Sequence, residues 1–330
     1  MSKILITGGA GELGATFANL CLSKGNDVRI MDIIRFNEAW RLKWLNIQND
    51  VYYSWKSTFD IDKSDINDVD IILDCACQPD RPLGITSPIH TLQNNLLGTT
   101  SLLKAVSKRK IKPIVIYPSS CNVFLGVPSK LQPLTEKTKP MPVNYYAWSK
   151  LAAEELYLMY NRVHKIPTIV IRTGSAYGPG MRTDQMIAKC ILHMLNNKKF
   201  NVKSPEASRT YTFTQDIVKF YDKLLDYINN GDLNDVMKRG LVIHNGGNKE
   251  NKPYKTFEVA EKIKYLTDSD AELYKDKYEL GEIIDDSAVT QWESYEGARR
   301  LLNWTPEHSL EDGLKKTIYW FEQVVGEYTI

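Results

Sequence analysis

Apolar and polar positions alternate along the first half of this chain in a repeating rhythm. A short β-branched run at 3–7 is followed by a glycine-rich turn, then by a helical period over 15–24 that stops at Gly25. The next apolar run, 28–34, completes a strand–turn–helix–strand unit. Further strands are expected at 70–75, 113–117 and 168–173, separated by helical stretches at 89–108 and 146–164. Strands that alternate with helices predict an α/β fold, a doubly wound parallel sheet with helices on both faces. Beyond Gly174 the rhythm loosens: a helix at 183–197, a polar loop over 204–209, a helix at 214–229, a strand at 240–244 and a mostly helical tail. That region reads as a smaller lobe.

Composition narrows the function classes. The 330 residues carry 42 basic and 40 acidic side chains, a formal net charge of +2, with no block of like charge. Neither a nucleic-acid footprint nor a membrane-binding face is expected, which leaves small-molecule chemistry. The apolar run after Met1-Ser2-Lys3 is too short for a signal peptide or a membrane span, so the cytoplasm is the expected compartment. Five cysteines, Cys21, Cys75, Cys77, Cys121 and Cys190, match neither a disulfide framework nor a four-ligand zinc site. No metal site is expected, and Cys75-x-Cys77 sits in an apolar run where buried, inert thiols are the ordinary outcome.

The turn itself reads Gly8-Gly9-Ala10-Gly11-Glu12-Leu13-Gly14, a G-x-x-G-x-x-G spacing between a strand and a helix. The first glycine permits a tight turn, the second lets backbone approach a pyrophosphate and the third lets helix pack on strand. The helix start then offers N–H groups to phosphate. By itself a glycine triplet can serve turn geometry alone. Asp32, 18 positions past Gly14 at the end of the second apolar run, adds what a dinucleotide needs: a carboxylate for the adenosine ribose hydroxyls. It repels a 2′-phosphate and so favours NAD, although Arg35 nearby leaves NADP open. Asp60-Ile61 is a candidate adenine contact.

Tyr146-x-x-x-Lys150 puts a phenol and an ammonium one helical turn apart on one face. The positive charge lowers the phenol pKa, so that Tyr146 can act as a base toward a hydroxyl. Spacing alone is cheap: Tyr52 and Lys56 repeat it in a segment without dinucleotide context. What separates the two is Ser119-Ser120 at the end of the 113–117 strand, where a parallel sheet binds its ligands.

These motifs, with Asn95-Leu96-Leu97-Gly98-Thr99, the 172–180 segment Arg-Thr-Gly-Ser-Ala-Tyr-Gly-Pro-Gly, the 209–216 segment that starts at Arg209, and the terminal 298–306 segment, occur in the order seen in extended short-chain dehydrogenases. The chain resembles their nucleotide-sugar epimerase/dehydratase group over nearly its whole length. The resemblance implies a Rossmann-type NAD-binding domain over 1–173, to which 214–246 adds a helix and a strand, and a substrate-binding lobe made of 174–213 and 247–330. It implies Ser120, Tyr146 and Lys150 as the catalytic triplet and NAD contacts from Gly8, Gly11, Glu12, Leu13, Gly14, Asp32, Asp60, Ile61, Cys75, Ala76, Tyr146 and Lys150. Substrate contacts are implied at Ser119, Ser120, Asn122, Ser175 and Arg209, the last gripping a diphosphate with its planar fork.

Departures from the family pattern bear on the reaction. The 4,6-dehydratases follow the catalytic hydroxyl with an Asp-Glu acid/base pair, and this chain has Cys121-Asn122 there. The remaining machinery suits 4-epimerisation of a UDP-sugar through a transient 4-keto intermediate. The alternatives are an NAD(P)H-dependent nucleotide-sugar reductase, a 4,6-dehydratase, or a dinucleotide-binding protein without catalysis. Ser175 stands where many relatives have asparagine, and Asp74 replaces a common histidine near the cofactor. The helices at 89–108 and 146–164 correspond to those of a four-helix dimer interface in relatives, so a homodimer is expected.

Overall fold

The computed structural model of the protein describes residues 1–276 and 290–324. Its centre is a seven-stranded sheet. Strands β1 (Lys3–Thr7), β2 (Asp27–Asp32), β3 (Tyr52–Trp55), β4 (Ile71–Asp74), β5 (Ile114–Ser120) and β6 (Thr168–Thr173) are joined by Leu241–His244, and the order across the sheet is Leu241–His244, β6, β5, β4, β1, β2, β3. The β1–β2, β1–β4, β2–β3 and β4–β5 ladders are all parallel. The chain builds outward from β1 first toward β3 and then, after a reversal, through β4 to β6. The carboxyl ends of β1 and β4 therefore flank the switch point, the place where open α/β sheets bind ligands. The α/β class and the doubly wound order are those the alternation predicts.

Strand β3 is absent from the sequence reading, for a physical reason. It is a four-residue edge strand whose aromatic side chains point largely to solvent, with Tyr52 70% and Trp55 62% exposed, so burial leaves no period to read. It pins the turn after β2: the Trp55 indole N–H donates to the Ile33 carbonyl (2.8 Å) and the Tyr53 hydroxyl to that of Ile34 (2.7 Å). Tyr52 and Lys56 thus start and follow a strand, and Lys56 pairs with Asp65 at 2.8 Å. The helix expected at 89–108 is likewise not one uniform element. It runs Pro88–Leu92, widens to a π turn over Gln93–Leu97, and resumes as Gly98–Ser107.

By packing, the chain divides into two compact units. The first comprises Met1–Val123, Asn144–Arg172 and Tyr221–Ile243; the second comprises Phe124–Val143, Thr173–Phe220 and the chain from His244 onward. In the first, Leu5, Ile72, Leu102, Val115, Tyr157 and Val170 share one core. In the second, the helices Met186–Leu195, Thr256–Leu266 and Leu310–Val324 contribute to a core with Tyr177, Phe213 and Phe321. The second unit is less purely helical than its sequence suggests. Among the described residues three small sheets run through it, one of them with Ser208–Arg209 between Tyr254–Lys255 and Thr290–Gln291. Strands of two to four residues are too short to carry a readable period.

Candidate active site

The glycine turn leaves β1 with Gly8 at φ +63°, a conformation that penalises any side chain. A Cβ on Gly8 would stand 2.8 Å from the backbone of Cys75 and Ala76, and one on Gly14 would overlap the Gly8 carbonyl and approach the Gly9 Cα to 2.7 Å. The turn is thus compressed between β4 and the first helix, α1 (Glu12–Ser23). Gly11 at the N-cap offers no side-chain oxygen to the first turn of α1, so the N–H dipoles there face the glycine turn, an arrangement that binds phosphate.

Asp32, buried at the end of β2, organises the same turn. Its carboxylate accepts the Ala10 N–H (2.8 Å) and the Ile34 N–H (2.9 Å), one on each oxygen, which leaves lone pairs for ribose hydroxyls. Burial raises its pKa, and the backbone donors Ile34 and Ala10 pull it back. Asp60 is exposed at the end of a short 3₁₀ turn after β3, with Ile61 buried behind it. Cys75 and Ala76 follow β4 directly. The Cys75 N–H bonds the Thr7 carbonyl (3.0 Å), and burial pushes the Cys75 thiol well above its ordinary value, so it is a packing group. Nothing in this cradle conflicts with a dinucleotide: Gly8, Gly9, Gly11 and Gly14 leave the turn without a Cβ at those positions, a helix start faces it, and a carboxylate stands at the ribose position.

A second group forms where β5 meets the long helix Tyr145–His164. That helix starts sharply because the Asn144 side chain accepts the Ala147 N–H (2.8 Å). Its buried face carries Lys150, Glu154 and Tyr157 at helical spacing, and Tyr146 opens the same stripe. The Ser120 hydroxyl hydrogen-bonds the Tyr146 phenol and also accepts the Asn122 N–H (3.2 Å). Burial pushes the Tyr146 pKa up to about 12, and the Lys150 charge and the Ser120 hydrogen bond work against that rise. Burial works to lower the Lys150 pKa, yet the surrounding Cys77, Tyr146 and Asp74 outweigh it and the net shift is upward. The Lys150 ammonium lies 4.3 Å from the centre of the Tyr117 ring, a cation–π contact from β5.

Ser120, Tyr146 and Lys150 are therefore brought together. Ser119 points elsewhere: it is buried, and its hydroxyl donates to Glu154 (2.5 Å), itself held by Arg172 on β6 (2.9 Å). The Ser119 hydroxyl is thus engaged by a buried carboxylate within the fold. Ser175 and Arg209 belong to the second unit. Ser175 begins a strand that pairs in parallel with Tyr211–Phe213, and the half-buried Arg209 donates to the Gln291 side chain (2.5 Å).

Sequence reasoning missed the supports of this group. Asn95, in the π turn, accepts the Gln78 N–H (2.6 Å) and donates to the Gln78 carbonyl (3.2 Å) and to Ser149 (2.9 Å), tying the loop after β4 to the helix that bears Tyr146. Glu154 follows Lys150 by one further helical turn, a signal that was present in the spacing.

The profile of the NAD dependent epimerase/dehydratase family matches residues 4–240. The chain belongs to that family. It is an enzyme of the family, and NAD is its cofactor. Among relatives, the UDP-glucuronate 4-epimerase of Thermodesulfobacterium geofontis is 26% identical across 98% of this chain and 97% of its own. The dTDP-D-glucose 4,6-dehydratase of Bos taurus is 24% identical across 97% of this chain and 89% of its own. In fold, the chain is similar to the UDP-glucuronic acid 4-epimerase of Bacillus cereus, solved with UDP-glucuronic acid and NAD, with TM-score 0.84, 22% identity and coverage of 98% and 99%. Members of the family thus include both epimerases and dehydratases. Among the described residues no helix is long and apolar enough to cross a membrane.

Proposed function

We propose that the protein is a 4-epimerase of a UDP-sugar, with Ser120, Tyr146 and Lys150 as its catalytic residues. The observation that carries the reading is a site in which the Ser120 hydroxyl hydrogen-bonds the Tyr146 phenol under the influence of the Lys150 charge, and in which Ser120 is followed by Cys121 and Asn122 rather than by carboxylates. Eliminating water from the sugar needs an acid and a base there; the Cys121 thiol is buried and the Asn122 amide does not titrate, so the carboxylate pair has no replacement. The relatives that act on UDP-sugars support the substrate class.

The residues divide the work. The glycine turn Gly8, Gly11 and Gly14, with Glu12 and Leu13 at the helix start, holds the pyrophosphate, and Asp32 the adenosine ribose. Asp60, Ile61, Cys75 and Ala76 are assigned to the remaining cofactor contacts. When bound, NAD supplies the hydride acceptor and donor at C4 of the sugar. Lys150 binds the nicotinamide ribose and keeps positive charge beside Tyr146. Tyr146 takes the proton from the sugar 4-hydroxyl while Ser120 hydrogen-bonds the same oxygen. After the 4-keto sugar turns, the phenol returns the proton to the alcohol oxygen. Asn122 and Ser175 are assigned to the sugar, and Arg209 to the diphosphate. The unit that carries the seven-stranded sheet is the cofactor-binding one on this reading, and the second unit the substrate-binding one.

The exposed apolar side chains Tyr145, Trp148, Met159 and Val163 on one helix and Ile89 and Leu97 on the other support a homodimer built on these helices. Incubation of the purified protein with UDP-sugars and no added nucleotide cofactor tests the function. Formation of the C4 epimer is expected; a strict requirement for added NAD(P)H would replace the epimerase with a reductase.

A further inference from the structure

Asp74 closes β4 at the switch point, 2% exposed, beside the Thr7 end of β1. Its neighbours are hydrogen-bond donors. The Thr7 hydroxyl donates to one carboxylate oxygen, and the Tyr157 hydroxyl (2.5 Å) and the Thr99 hydroxyl (3.5 Å) donate to the other. A donor shell of this kind suits the anion, and a buried anion is costly unless a cation offsets it.

The cation is near, and aromatic packing spans the gap. Tyr157, whose hydroxyl holds Asp74, stacks on Tyr117 with ring centres 4.5 Å apart and planes inclined by 24°. The Lys150 ammonium rests on Tyr117. Three elements are thereby locked together: the end of β4, the middle of β5 and the buried face of the Tyr145–His164 helix. The other titratable groups near this network are Asp32, Cys75, Cys77, Tyr146 and Glu154. Burial raises the pKa of Asp74, while Thr7, Tyr157 and Lys150 oppose it. Burial pushes Cys75 and Tyr146 upward as well, and of the groups that raise the Lys150 pKa, namely Cys77, Tyr146, Asp74 and Cys75, Asp74 is the carboxyl group.

We propose that Asp74 is a positioning residue for proton transfer, the buried counter-charge that, with the Tyr157–Tyr117 stack, holds Lys150 in place as an ammonium beside Tyr146. The assignment deepens the proposed function and rests on its roles for Tyr146 and Lys150. A histidine at this position, neutral near neutrality, cannot supply a fixed negative charge, so Asp74 gives this chain a stronger hold on the lysine proton than that alternative.

The test is a titration of Lys150 in the full-length protein, followed by the ¹³Cε resonance of labelled lysine and assigned by its loss in Lys150→Arg. Asp74→Asn is expected to lower the Lys150 midpoint by about one pH unit or more. Tyr157→Phe, which keeps the stack but removes a donor from Asp74, is expected to lower it by a smaller step. Ile263→Ala, a truncation in the core of the second unit, is expected to lower thermal stability and leave the midpoint in place. In turnover, the alkaline limb of kcat should move down with the Asp74→Asn midpoint while KM for the sugar nucleotide holds. An unchanged midpoint in Asp74→Asn overturns the assignment, and if that variant does not fold, an unchanged midpoint in Tyr157→Phe does so. Undiminished turnover in Tyr146→Phe would instead defeat the functional reading, leaving the Lys150 midpoint to decide the role of Asp74 separately.

Discussion

Replacing Glu154 with alanine isolates the buried ion pair that backs the strand end bearing Ser120. Glu154 and Arg172 have side chains only 1% and 8% exposed. Both carboxylate oxygens are engaged, by Arg172 Nε at 3.3 and 3.2 Å, by Arg172 Nη2 at 2.9 Å and by the Ser119 hydroxyl at 2.5 Å. Removing the carboxylate takes a shared partner from a buried guanidinium and a buried hydroxyl, and breaking a buried pair this way costs about 3–5 kcal/mol. For a unit of this size that is a fall in melting temperature on the order of 10 °C. The Glu154→Leu/Arg172→Met double variant, which removes both charges and keeps volume, should recover most of the loss. Urea denaturation of Glu154→Leu, Arg172→Met and the double completes the cycle, with a coupling energy of about 2 kcal/mol or more expected. A single variant that loses less than about 1 kcal/mol, or a double variant equal to the sum of the singles, would refute the account of this pair.

Tyr146→Phe should reduce kcat by about 10²–10⁴-fold, the scale of a lost acid–base group, while isothermal titration finds NAD affinity little changed. Gly14→Ala forces a methyl into the Gly8 carbonyl and the Gly9 Cα; an overpacking cost of about 1–3 kcal/mol should appear as weaker NAD binding. The pKa of Tyr146 is set high by burial and drawn down by Lys150. Lys150→Met should therefore raise the phenol midpoint further and shift the rising limb of the pH–rate profile to higher pH. Trp148, half exposed on its helix at 50%, should be covered in a dimer, so Trp148→Glu should convert the dimer expected by light scattering into a monomer with its fold intact by circular dichroism.

Much of the first unit was legible because its signals are local. Strands buried on both faces read as continuous apolar runs, and β1, β4 and β6 were found within about a residue of their ends. The glycine turn was legible because steric exclusion at Gly8 and Gly14 admits no other residue. Edge strand β3 escaped because its residues face solvent, and the small sheets of the second unit because two to four residues hold no period. At the site, Ser120, Tyr146 and Lys150 could be named from their order in the chain. The direction of Ser119 could not, since its partner Glu154 lies 35 positions away and only the tertiary fold brings them within bonding distance. Asp74 was visible as an unusual residue at its position, but its stack with Tyr157 and Tyr117 emerges only when three elements are packed.

The central claim is that Tyr146 and Ser120 serve a reversible oxidation at C4 with no elimination. Turnover in D₂O, followed by proton NMR of the sugar nucleotide, tests it most directly. The account predicts a C4 epimer that keeps its original hydrogen at C4, takes up no solvent deuterium at C4 or C5 and retains the oxygen at C6. Deuterium at C5 together with a deoxygenated C6 would contradict it, because that product requires the acid–base pair that Cys121 and Asn122 do not provide.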